Sequence, residues 1–221
     1  MGKRIAGVVA VAGLLWAVPV RAASADAPWT VESGKTMGSG ETAFWGEAGF
    51  PGVWLQLIHG LDAETDIGGR FAFNYGVEGV LNGCCTAGLD FQLLLRRNFF
   101  NNGKLFIAGT FDPGLQLYFP TGSTVVGIKF PLGVQFGFPV SPVVTVNASF
   151  DLAMYVNFSS YSGLVPAYFA LPILFGGGVE YLAKPNLALT FQLKLGPTIF
   201  TLSGATAQFT LYAMVGVAYK F

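Results

Sequence analysis

From Val144 to Phe158 the chain alternates without a break. One face reads Val144, Val146, Ala148, Phe150, Leu152, Met154, Val156 and Phe158; the other reads Thr145, Asn147, Ser149, Asp151, Ala153, Tyr155 and Asn157. The same period of two returns around 187–200, where Leu187, Leu189, Phe191, Leu193 and Leu195 oppose Thr190, Gln192, Lys194, Gly196 and Thr198. It returns again around 124–138, with Val126, Ile128, Phe130, Leu132, Val134, Phe136 and Phe138 set against Lys129, Gly133, Gln135 and Gly137. Successive side chains of a strand point to opposite faces, so this pattern writes a two-faced strand and no helix. Two uncharged stretches are long enough to raise the helical alternative. Phe130 to Phe150 contains Pro131, Pro139 and Pro142, and Tyr161 to Val179 contains Pro166, Pro172 and three successive glycines. Those residues break helices, and both stretches alternate.

Turn residues separate the alternating runs at regular intervals. Strands are predicted near 42–49, 52–60, 67–77, 86–97, 103–119, 124–138, 143–158, 169–182, 187–200 and 207–221. Strands of roughly 14 residues suit a tilted membrane crossing better than a small sandwich, where about 5–6 is typical. Charged residues make up only 11% of the chain, against roughly 25% in a soluble domain. A secreted lipocalin-like ligand-binding barrel is the soluble alternative, but its solvent face would then consist mostly of Gly, Thr, Gln, Ala and Asn. The formal net charge is zero with no basic block, which argues against a nucleic-acid partner.

The two ends add direction. Lys3 and Arg4 precede an apolar stretch from Ile5 to Val20, and "RAASADAP" offers small residues for cleavage after Ala25. This order is that of a secretory signal peptide. The final stretch, "LYAMVGVAYKF", carries Leu211, Val215, Val217, Tyr219 and Phe221 on one face and ends on the aromatic. Signal peptide, repeated alternating strands and terminal aromatic together resemble the bacterial outer-membrane β-barrel proteins. The resemblance implies an all-β, antiparallel up-and-down transmembrane β-barrel of about ten strands, with eight or twelve as alternatives. It implies a signal peptide at 1–25, a short periplasmic lead-in at 26–41 and the barrel at 42–221, reached through Sec export. It also implies residence in the outer membrane, with lipid and the barrel-assembly machinery as partners, the latter reading Leu211, Val215, Val217, Tyr219 and Phe221. Aromatics at the predicted rims, among them Tyr118, Phe119, Phe158 and Tyr168, are expected to form an interfacial girdle.

Parity places nearly all strand charges inward: Glu47, Arg70, Asp90, Arg96, Asp112, Lys129, Asp151, Glu180 and Lys194. Asp112, Lys129, Asp151 and Lys194 are expected to form one mid-depth network. A self-satisfied interior describes a structural barrel or a narrow pore; a hydrated interior describes a small-solute or ion channel. Catalysis has little to work with, because His59 is the only histidine and parity turns it toward lipid. Cys84 and Cys85 are adjacent in a predicted turn, where an oxidising compartment favours a vicinal disulfide. Two cysteines supply no metal spacing. "SGKT" at 33–36 lacks the upstream glycine of a phosphate loop, since Trp29 stands there. Neither a metal nor a cofactor is expected.

Overall fold

A computed structural model describes residues 28–76, 87–120, 123–160, 167–201 and 207–221. The predicted signal peptide and the pair Cys84 and Cys85 lie outside the described residues. The strands are β1 (Thr42–Phe50), β2 (Gly52–Gly60), β3 (Thr65–Asn74), β4 (Ala87–Asn101), β5 (Phe106–Phe111), β6 (Gly114–Phe119), β7 (Val125–Ser141), β8 (Val144–Ser159), β9 (Ala167–Lys184), β10 (Leu187–Phe200) and β11 (Gln208–Lys220). Neighbouring strands pair antiparallel, and β1 returns to pair with β11 from Ala43↔Lys220 to Phe50↔Ala213, which closes the sheet into a barrel. Closure leaves no unpaired edge in an apolar surrounding.

Eleven strands make ten staves, because β5 and β6 share one. Both pair with β4 on one side and β7 on the other. The register runs straight through the interruption: Leu95↔Phe111 and Gln92↔Gly114 on one side, Phe111↔Leu132 and Gly114↔Lys129 on the other. A bulge inserts an extra residue, and none is inserted here. Pro113 simply has no N–H to give. Its carbonyl still accepts from the Leu93 amide at 2.9 Å, and the Asp112 amide donates to the Pro131 carbonyl at 3.0 Å.

One mouth of the barrel carries the chain's C-terminus and the four hairpins β2–β3, β4–β5, β7–β8 and β9–β10; we call it the termini end. Three register shifts cluster there, at Asn98/Phe100, Pro139/Ser141 and Leu187/Ala188. The opposite mouth is the loop end.

Outside and inside are inverted relative to a water-soluble fold. Leu93, Phe175 and Val215 each expose 59% of their surface on the outer face, while Lys129 and Gln56 inside expose 1%. Two rim aromatics depart from expectation. Tyr118 and Tyr168 are buried in the lumen, where the even parity that they share with Gln116 and Glu180 puts them. Phe119 and Phe158 remain on the outer face.

The face assignment has a direct consequence. Leu193→Arg would put a charge on the outer face near mid-strand and should cost roughly 2–4 kcal/mol of folding stability in lipid. Ser149→Asn, on the inner face, keeps a polar side chain where Ser149 donates to Asp151 at 3.1 Å and should stay within about 1 kcal/mol. Ala153 is a poor inward control, because it belongs to a buried cluster with Tyr155, Tyr168, Ala170 and Phe200. Denaturant titration of the refolded variants in vesicles measures the difference, and equal sensitivity at positions 149 and 193 would contradict the assignment.

Candidate functional site in the lumen

The inward residues form three layers from the loop end to the termini end. Nearest the loop end the lumen is solid. Lys129 is ion-paired to Asp90, with both side chains at most 2% exposed. Gln116 donates to Asn157 at 2.6 Å, Asn74 donates to Tyr118 at 3.2 Å, and Trp54 donates to Asn74 at 3.0 Å. Tyr118, Tyr155, Met214, Gln116, Asn74 and Asn157 are all fully buried. The expected pairing of Lys129 within a network including Asp112 is corrected here. Lys129 stands opposite Gly114, which has no side chain, and reaches across β6 to Asp90 on β4.

The middle layer keeps space. A cavity of about 100 Å³ is bounded in part by Arg70, Asp112, Asp151, Lys194, Gln135 and Tyr155. Lys194 pairs with Asp151 at 3.0 Å, and the two side chains remain 20% and 15% exposed. Arg70 donates to Gln56 at 3.1 Å and Gln92 at 2.8 Å, and its guanidinium lies 4.8 Å from the Trp54 ring centroid. Glu47 accepts from Gln56 at 2.7 Å and Gln192 at 2.6 Å. Neutral amides thus carry the charges here that no ion pair carries, as burial demands.

At the termini end the lumen is filled by the chain's own lead-in. Residues 29–34 and 36–37 are buried inside the mouth, threaded past the inner wall as a series of bends. Wall charges hold its backbone. Glu180 accepts from the Val31 amide at 2.8 Å and the Glu32 amide at 3.1 Å. Arg96 donates to the Ser33 carbonyl at 3.0 Å and the Thr30 carbonyl at 2.9 Å, while pairing with Asp66 at 2.6 Å. Asp66 in turn accepts from the Met37 amide at 3.0 Å. Asn98 donates to the Gly34 carbonyl at 2.6 Å, and Asn147 reaches Glu32 at 3.3 Å. Gly34 passes so close to the Phe106 backbone that a Cβ would overlap it, and a Cβ on Gly137 would strike Ser33.

The nine charges expected in the lumen therefore all point inward, but they serve three different ends. Asp90 and Lys129 lock the solid layer. Arg70, Asp112, Asp151 and Lys194 line the cavity, and Glu47 is held by Gln56 and Gln192, which line it too. Arg96 and Glu180 grip the lead-in, together with Asp66, which lies between two predicted strands, while Glu32 of the lead-in accepts from Asn147 on the wall. The apolar residues Trp29, Val31 and Met37 within that leader were the available signal. His59 lies on the outer face and shares a 2.8 Å hydrogen bond with Thr42. Among the described residues no group of His, Cys, Asp and Glu could hold a metal.

Burial separates the two ion pairs energetically. Lys129→Met leaves Asp90 charged in a dry layer and should cost about 3–5 kcal/mol. Lys194→Met leaves Asp151 beside a cavity able to hold water and should cost visibly less. Removing Asp90 together with Lys129 should recover most of the first loss. Denaturant titration of the three variants reads this order, and equal losses for the two lysines would contradict the layering.

No protein-family model matches the chain, and no curated protein matches it. Solved structures do. The outer membrane protease OmpT from Escherichia coli superposes with a TM-score of 0.53 at 10% identity, over 82% of this chain and 96% of that one. The KdgM porin aligns at 11% identity over 82% and 99% of the two chains, with a TM-score of 0.35. At such identity OmpT speaks for architecture alone, and the architecture it shares with this chain is that of a closed antiparallel β-barrel.

Proposed function

We propose that this protein is an integral barrel of the bacterial outer membrane, exported by the Sec route and cleaved near Ala25, whose lumen is closed by its own N-terminal segment. Its role on this reading is structural, not catalytic. The observation that carries the reading is the set of hydrogen bonds by which Glu180 and Asp66 accept from backbone amides, and Arg96 and Asn98 donate to backbone carbonyls, of residues 30–37. Backbone contacts hold a segment whatever its side chains, and here they satisfy the wall charges at the same time. The solid layer around Lys129 stands above it as a second barrier. With the termini end in the periplasm, the short hairpins lie on the periplasmic side and most of the longer connections lie outside, as in barrels of this type. The terminal Phe221 is 69% exposed and stacks on Tyr219 at 6.4 Å, which leaves it available to the assembly machinery.

A narrow pore is the second reading. The partly exposed Lys194–Asp151 pair beside the cavity favours it, since a wet, charged middle layer is what a conduit would keep.

Planar-bilayer recording of the refolded barrel separates the two, with a heat-modifiable gel shift as the check on folding. A folded barrel that is silent under applied voltage is the expected result. Steady unitary conductance steps from the folded protein would overturn closure in favour of the pore.

A further inference from the structure

Two opposite charges look into the mid-depth cavity without meeting. Arg70, from β3, and Asp112, from the interruption between β5 and β6, both line the cavity and are only half-buried. Arg70 donates through Nε to Gln56 at 3.1 Å and through Nη1 to Gln92 at 2.8 Å, so its two acceptors are neutral and Nη2 takes part in neither bond. Asp112 accepts from the Leu95 backbone amide and is attracted by Arg70 and Lys194. Among the described residues neither Arg70 nor Asp112 stands in an ion pair, whereas Lys194 and Asp151 beside them are paired at 3.0 Å. Glu32 also lines the cavity, and Asn147 donates to it at 3.3 Å.

We infer that this cavity binds a small zwitterion, an α-amino acid being the simplest chemistry that fits, with its carboxylate on Arg70 and its ammonium on Asp112. A molecule carrying both complementary charges fills the gap between two side chains that do not reach each other, and it makes a charge-assisted hydrogen bond at each end. A ligand with a single charge satisfies one side and leaves the other buried without a counter-charge. The zwitterion also adds no net charge to the interior. Closure of the lumen is a separate property, because the cavity lies between the closing segment, whose Glu32 lines it, and the solid layer, whose Tyr155 lines it.

Size and rigidity narrow the ligand further. The cavity measures about 100 Å³, and a water needs roughly 10–15 Å³ of such space. The room is that of several waters or of one molecule with few heavy atoms, such as glycine. Arg70 is held before any ligand arrives, by the two glutamines and by the Trp54 ring 4.8 Å from its guanidinium. A preset group loses little freedom on binding.

Equilibrium dialysis of the whole protein in a non-ionic detergent tests the site, with radiolabelled glycine as the probe. Glycine is present from the start of refolding, so that a closed lumen does not keep it out, and the heat-modifiable gel shift checks that each sample is folded. Acetate and methylamine, which carry one charge each, are the competitors. Wild-type protein should retain the label, and unlabelled glycine should displace it at concentrations about tenfold lower than either competitor, roughly one charge-assisted contact. Arg70→Gln should weaken glycine binding about tenfold and abolish competition by acetate while keeping that by methylamine. Asp112→Asn should weaken it as much with the opposite effect on the two competitors. The wild-type competition series needs no variant, and because binding is read apart from conductance, its failure leaves closure of the lumen standing. Folded wild-type protein that retains no glycine overturns the inference, as does displacement by acetate or methylamine as effective as by glycine, or an affinity unchanged in either folded variant.

Discussion

The guanidinium of Arg96 is the contact on which the interior depends. It is 6% exposed, paired to Asp66, and spends its remaining donors on the carbonyls of Thr30 and Ser33. An unpartnered guanidinium at that depth would be costly, and so would unpartnered backbone in a lumen. Each solves the other's problem. Glu180 repeats the solution with opposite polarity by accepting two amides, and Asp66 joins the two by accepting the Met37 amide while holding Arg96. Removal of the segment would expose these wall charges together, so wall and segment are one electrostatic unit.

This arrangement explains why the barrel can be so poor in charge and still be charged inside. Its large apolar residues mostly face outward, where they need no polar partners, and most of the charges between the two rims are turned inward. A ten-stave barrel is narrow enough for side chains to meet across it. Large ones, Tyr118, Tyr155 and Met214, fill the loop half. Gly133 and Gly176, beside Asp151 and Lys194, leave the middle open. The lead-in then occupies the termini half.

Much of the wall was legible in the sequence, because period two depends only on local geometry. The ten staves, the inward set from Glu47 to Lys194 and the outward position of His59 all follow from parity. Pairing across the lumen does not. Whether Lys129 meets Asp112 or Asp90 depends on the stagger between staves, which no single strand encodes. Tyr118 and Tyr168 show a different limit: their parity pointed inward, but aromatic character near a rim suggested a girdle. The lead-in was opaque because it has no periodicity. Its bends are specified by wall residues tens to more than a hundred positions away, and only Trp29, Val31 and Met37 hinted that it is buried.

Wall charges hold the backbone of residues 30–37 inside the barrel. Amide hydrogen exchange of the refolded protein, read residue by residue, tests it most directly. Val31, Glu32 and Met37 donate to Glu180 and Asp66, whereas Ser39 is exposed near the start of β1. Protection of those three amides approaching that of the β8 and β9 strands, with fast exchange at Ser39, is the predicted result. Exchange at Val31, Glu32 and Met37 as fast as at Ser39 in a folded barrel would contradict the claim.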